Sequence, residues 1–144
     1  MLETTRPIQK YMTKFPHSIG EDMPLSKAKE MMAEHGIRHL PVQNRAKVVG
    51  IISDRDIHVA YALHPTAKDL LVKDVMTEDP YVVSEKCPLL QVVTEMARHK
   101  YGCAIVENEK GRAVGIFTAV DALYLTKQWL EEDHVSDREL RIAY

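Results

Sequence analysis

Two short stretches of this chain hold residues that could do chemistry: Gly50-Ile51-Ile52-Ser53-Asp54-Arg55-Asp56 and Gly115-Ile116-Phe117-Thr118-Ala119-Val120-Asp121. In each, a hydroxyl residue closes an apolar run and an aspartate follows three positions later. That spacing is a capping box, in which hydroxyl and carboxylate satisfy backbone N–H groups at the start of a helix. Taken singly, it is a folding signal found in proteins of every kind. Here it occurs twice at corresponding places, each time behind a glycine at the same distance, which points beyond capping. Free N–H groups and a hydroxyl at a helix N-terminus can hold phosphate oxygens, helped by the helix dipole. An aspartate carboxylate can accept two hydrogen bonds side by side, as the neighbouring hydroxyls of a ribose offer them. The same residues can therefore cap a helix and hold a nucleotide.

The two stretches belong to a longer repetition. Tyr11-Met12-Thr13 is answered 64 positions later by Val75-Met76-Thr77. Pro16/Pro80, Glu21/Glu85, Pro24/Pro88, Leu25/Leu89, Met32/Met96, His35/His99, Val42/Val106 and Asn44/Asn108 then match in step. One extra residue in the second copy moves the offset to 65, aligning Gly50 with Gly115, Ser53 with Thr118 and Asp56 with Asp121. Repetition at this period decides the architecture, and a duplicated unit implies pseudo-twofold assembly with paired clefts. A lone copy of about 60 residues has a marginal core, whereas a joined pair can share one. The expected organisation is one domain of two halves, 1–66 and 67–130, followed by a charged tail over 131–144.

The elements that must position the two boxes follow from local pattern, and each copy reads β-α-β-β-α. Ser18-Ile19 and Tyr81-Val82-Val83 are short extended runs, followed by Pro24-Leu25 and Pro88-Leu89 at helix starts. Leu25, Ala28 and Met32, and likewise Leu89, Val92 and Met96, then recur at helical spacing and put one stripe against a core. Gly36 and Lys100-Tyr101-Gly102 close these helices. A hairpin follows in each copy, turning at Asn44-Arg45-Ala46 and at Asn108-Glu109-Lys110-Gly111, and the capping boxes open the last helices. The expected fold class is α/β (α+β), two pseudo-symmetric β-α-β-β-α repeats packed through their sheets.

Composition narrows the function. The chain is 45% hydrophobic and 28% charged with a formal net charge of −2, which gives no electrostatic reason to expect nucleic-acid binding. No apolar run reaches the ~18 residues of a membrane span, and the first residues lack the apolar stretch of a secretory signal, so a cytoplasmic protein is expected. Cys87 and Cys103 show no ligand or disulfide spacing and are expected to be reduced thiols. Of the seven histidines, His35 and His39 are four apart, but Gly36 interrupts the helix that would align them, so no metal site is expected. No nucleophile stands in a motif that would place a base beside it, so an enzyme is not expected. The methionines Met31, Met32 and Met96 are expected to fill the core, and Trp129 and Tyr124 to pack or to join a dimer face.

Through Met12-Thr13, Leu40-Pro41-Val42, Gly50 to Asp56 and their partners Met76-Thr77, Ala104-Ile105-Val106 and Gly115 to Asp121, the chain resembles the cystathionine-β-synthase (CBS) domain family. The likeness covers about residues 6–128 and is to a stand-alone tandem pair, the Bateman module. It implies regulation rather than catalysis, by adenosine-containing ligands such as AMP, ADP, ATP, NAD or S-adenosylmethionine in two clefts between the repeats. It also implies a homodimer and an unidentified regulated partner. The first site it implies uses Ser53, Arg55 and Asp56, with Arg38 and His39 toward phosphate and Val82, Val83, Tyr101, Gly102 and Cys103 around the adenine. The second uses Thr118 and Asp121, with Ser18, Ile19, Ile37 and Arg38 lining the base. Gly102-Cys103 stands where the first site has Arg38-His39, so the Asp56 site is expected to dominate for phosphorylated ligands. The alternative is a pair of empty repeats that only dimerises.

Overall fold

The computed structural model describes residues 6–133, so the charged tail expected over 131–144 lies outside the described residues from 134 onward. The first half of the chain forms β1 (Thr13–Lys14), β2 (Ile19–Gly20), α1 (Leu25–His35), β3 (His39–Asn44), β4 (Lys47–Ser53) and α2 (Asp54–Leu63). The second half forms α3 (Val72–Val75), β5 (Thr77–Glu78), β6 (Val82–Ser84), α4 (Leu89–His99), β7 (Cys103–Glu107), β8 (Ala113–Thr118) and α5 (Ala119–Glu132). The β-α-β-β-α order is present in both repeats, with a two-residue strand added ahead of each.

Local chemistry accounts for these boundaries. Leu25, Ala28 and Met32 of α1 and Leu89, Val92 and Met96 of α4 are the buried stripes that the spacing predicts. Gly36 ends α1 in the left-handed region at φ +63, where a missing Cβ removes the steric cost. Lys100 ends α4 in the same conformation at φ +58 and bears that cost.

The two sheets run β2-β3-β4-β5 and β1-β8-β7-β6, so each repeat lends its lead-in strand to the other. β1 lies antiparallel on β8 with Thr13 opposite Ile116, and β5 lies antiparallel on β4 with Thr77 opposite Ile51. The Leu25 N–H at the start of α1 donates to the Leu70 carbonyl at 2.7 Å, and the Leu89 N–H of α4 donates to the Arg6 carbonyl at 2.7 Å. The cores are exchanged in the same way. Ile8, with Tyr11 and Met12 against it, is buried among Val83, Val92, Met96, Val106 and Phe117. Val72, with Val75 and Met76 against it, is buried among Ile19, Leu25, Leu40, Val42 and Ile52.

The repeated glycines serve this exchange. A Cβ on Gly50 would lie 2.6 Å from Met76 Sδ and 2.8 Å from the Thr77 carbonyl oxygen, and one on Gly115 would collide with Met12. The matched Met-Thr and Gly positions of the sequence are thus two sides of one contact. Gly50→Ala is expected to cost about 1–3 kcal/mol of stability by overpacking. Gly115→Ala should be largely relieved by a second change, Met12→Ala, because the three nearest atoms all belong to Met12. Met76→Ala should relieve Gly50→Ala less, since the Thr77 carbonyl stays in place. Urea unfolding of the single and double variants measures both couplings, and equal relief at the two glycines would contradict this account.

Candidate ligand-binding cleft

Strand β4 runs into α2 at Ser53, which sits opposite His39 in the β3–β4 register. Ser53 Oγ accepts the Asp56 N–H at 3.1 Å, and the Ser53 N–H donates to Asp56 Oδ2 at 2.9 Å. The Asp54 N–H donates to the Arg38 carbonyl at 2.8 Å, tying the head of α2 to the start of β3. The second repeat builds the same device. Thr118 Oγ1 accepts the Asp121 N–H at 3.1 Å, the Thr118 N–H donates to Asp121 Oδ2 at 2.8 Å, and the Ala119 N–H donates to the Gly102 carbonyl at 3.0 Å. Both capping boxes are formed.

The first box opens onto a cleft of 610 Å³. Arg38, His39, Ser53, Arg55, Asp56, Tyr101, Gly102 and Cys103, all expected at the first site, line it together. Val82 and Val83 do not. They belong to β6, which pairs in parallel with β7, and Val83 is buried in the core behind the cleft. The chain instead reaches the cleft just ahead of that strand, through Thr77, Asp79, Pro80 and Tyr81. Asp79 takes a positive φ of 53° as the chain leaves β5 and crosses back, and Phe15 does the same at 52° after β1. Asp54, next to Ser53, brings the negative charge its place in the sequence implies, Lys100 lines this cleft rather than the second, and Ile51, His58 and Val59 were not foreseen for this site. The signal for His58 and Val59 was the helical spacing from Arg55, since residues three and four apart share a face.

The cleft carries Arg38, Arg55 and Lys100 against Asp54, Asp56 and Asp79. His58 Nδ1 lies 3.4 Å from Asp54 Oδ2. Burial pulls the half-buried His39 below the usual imidazole range; Asp56 opposes this, Arg38 adds to it and Asp54 opposes it. Burial pushes the Cys103 thiol up to about 12, so it stays protonated and unreactive near neutral pH. The opposite wall is aromatic. Tyr81 stacks on Tyr101 at 5.0 Å and Tyr101 on His99 at 5.1 Å, while the buried Tyr81 hydroxyl has no hydrogen-bond partner among the described residues.

The residues expected at the second site are divided. Thr118 and Asp121 form their box, but Ile19 is 4% exposed and committed to the first core, and Ile37 packs against that core. Arg38 lines the first cleft, and Ser18 is half-buried beside Ile19. The strand alternation that buries Ile19 is the one that buries Val83 in the other repeat. At the positions matching Asp54, Arg55, His58 and Asp79, the second repeat's side has Ala119, Val120, Leu123 and Phe15. His35 does not meet His39 but stacks on His17 at 3.7 Å.

A further apolar groove of 710 Å³ runs between α4 and α5, lined by Leu89, Leu90, Val93, Leu125 and Trp129 with Arg6 over the indole at 5.1 Å. Among the described residues, no helix is long and apolar enough to cross a membrane.

The family model described as "CBS domain" matches residues 8–62 and 72–126. The chain is 32% identical over 124 residues to inosine-5'-monophosphate dehydrogenase of Korarchaeum cryptofilum, a match that covers 86% of this chain but only 25% of that enzyme. Among solved structures, it is similar to a candidate acetoin utilization protein (AcuB) of Vibrio cholerae, with a TM-score of 0.79 and 30% identity over 93% of this chain and 99% of that one. The CBS domain pair of protein MJ0100, solved with 5'-methylthioadenosine and S-adenosylmethionine, gives a TM-score of 0.77 and 26% identity over 86% of this chain and 98% of that one.

Because each hydroxyl satisfies a backbone N–H at the start of its helix, Ser53→Ala and Thr118→Ala should each lower stability by about 0.5–2 kcal/mol. Denaturant midpoints measure this, and no loss at Ser53 would mean that its cap contributes nothing to the fold.

Proposed function

The chain belongs to the CBS domain family, and on that premise we propose that it is a regulatory module that binds an adenosine-containing ligand between its repeats and transmits occupancy to a partner protein. The observation that carries this reading is the Ser53–Asp56 box at the mouth of the 610 Å³ cleft, facing a wall of tyrosines. Asp56 spends Oδ2 on the Ser53 N–H, which leaves Oδ1 to accept a ribose hydroxyl. Arg38, Arg55 and Lys100 can approach phosphate oxygens, and a guanidinium does so with paired donors. Tyr101 and Gly102 offer an aromatic face and an open backbone to the base. AMP, ADP, ATP, NAD and S-adenosylmethionine are the candidate ligands, and the adenosine compounds in the MJ0100 pair support the class.

The two clefts are proposed to be unequal, with the Asp56 site dominant for phosphorylated ligands, because Gly102-Cys103 and Val120 stand at the positions matching Arg38-His39 and Arg55. The role is regulatory rather than catalytic, and the match to the dehydrogenase lies in a quarter of that enzyme. The chain is proposed to act in the cytoplasm, with no nucleic-acid or membrane partner. It is also proposed to be a homodimer closed by a twofold axis, the commonest closed assembly. The groove between α4 and α5, with Leu90 72% and Trp129 37% exposed, supports an apolar interface there.

Calorimetry with the five ligands is the direct test. A charged hydrogen bond contributes about 1.5–3 kcal/mol, so Asp56→Ala should weaken binding about tenfold to a hundredfold, and Asp121→Ala should matter less. No heat from any of the five would leave the empty, dimerising module as the better account. Light scattering at micromolar concentration should give a dimer mass, and a monomer mass with and without nucleotide would remove the dimer.

A further inference from the structure

We propose that His39 determines how strongly the first cleft prefers a phosphorylated adenosine, by taking up a proton from solvent as the ligand's phosphate arrives. This presupposes that the cleft takes an adenosine ligand at all. His39 is half-buried at the start of β3, opposite Ser53 and against the second repeat. A Cβ on Gly102 would lie 3.0 Å from His39 Nε2, so the imidazole packs closely against the second repeat where the glycine leaves room for it.

Charge around it is balanced. Arg38, Arg55 and Lys100 offset Asp54, Asp56 and Asp79 among the side chains that line the cleft. Asp54 and Asp56 act on His39 from the head of α2 and Arg38 from its own strand. The second repeat's side adds Lys100 and Asp79, the Tyr101 phenol and the Cys103 thiol, which remains neutral. His58, the other imidazole of the cleft, stands beside Asp54. Burial favours the neutral form of the His39 imidazole. A phosphate dianion entering this space adds the opposite charge that favours the imidazolium.

The sign of the linkage follows. A ligand that raises the imidazole pKa binds more tightly as pH falls through the bound-state pKa, and the gain levels off below the free-state pKa. The phosphate itself gains a proton near pH ~6, so the window to use lies above that.

Calorimetry of the full chain with AMP and with adenosine, in two buffers of different ionisation enthalpy, measures both affinity and proton uptake. Between about pH 8.5 and about pH 6.5, AMP affinity should rise roughly five- to tenfold with uptake of a fraction of a proton, and adenosine affinity should change less than about twofold. In His39→Gln, AMP binding should show neither the pH gain nor the uptake. Uptake by wild-type protein needs no variant, so a folding defect in His39→Gln cannot hide the answer. AMP bound without proton uptake, or with uptake unchanged in His39→Gln, overturns the role of His39 and leaves the cleft's assignment standing. No binding of either ligand at any pH overturns both.

Discussion

The pass of Met12 over Gly115, and of Met76 over Gly50, is the contact on which the rest of this structure depends. It lets β1 lie on β8 and β5 lie on β4, so that each repeat closes the sheet of the other. Each crossing back is made by a non-glycine residue at positive φ, Phe15 or Asp79, a conformation that costs about 1–2 kcal/mol. The exchanged segments offset that cost by burying Ile8 and Val72 completely. The cleft is a product of the same exchange. Asp79, Pro80 and Tyr81 face the head of α2 only because β5 has first carried the chain onto the first repeat's sheet. Thr77, Asp79, Pro80 and Tyr81 would leave the cleft wall with that strand.

Within this frame the capping box does two things with one set of atoms. The Ser53 hydroxyl and one oxygen of Asp56 satisfy backbone N–H groups that would otherwise be left open at the start of α2. The remaining carboxylate oxygen and the dipole of the helix are then presented, already oriented, to whatever enters. A side chain held by its own fold loses little freedom on binding, which is the energetic advantage of building a site from a cap. For the same reason, Asp56 variants are expected to change stability, and with it affinity if the proposed function holds, whereas the Arg38 and Arg55 side chains line the cleft without a capping role.

Much of this was legible in the sequence, and what was not has a common cause. The repeat, the helix starts at Leu25 and Leu89, the hairpin turns and both capping boxes are local patterns, and each appears where the residues put it. The exchange is not local. Met12-Thr13 and Met76-Thr77 mark the beginning of their own repeats in sequence, and nothing in their spacing says that they pair with the other sheet. The glycines looked like part of the nucleotide motif, whereas their immediate duty is to make room for methionine. Val82, Val83 and Ile19 were drawn toward the clefts by their place in the repeat. A period-2 pattern of two or three residues cannot say which face is buried, and Val83 and Ile19 face their cores.

Comparing the halves separates what the fold requires from what the ligand would require. The glycine, the hydroxyl and the aspartate recur in both copies, and each has a structural duty that either half would lose by changing it. The rim has no such duty, and there the copies part. Asp54, Arg55 and His58 on α2 correspond to Ala119, Val120 and Leu123 on α5, and Asp79 corresponds to Phe15. Val120, Leu123 and Phe15 are 51%, 68% and 84% exposed, so folding of the single chain did not select them as core residues. Charged side chains in near balance line the cleft at one cap, and at four of the matching positions its twin has apolar residues. A pseudo-symmetric backbone thus presents two helix heads of the same capping geometry, and what distinguishes them rests on side chains that the duplication left free to differ.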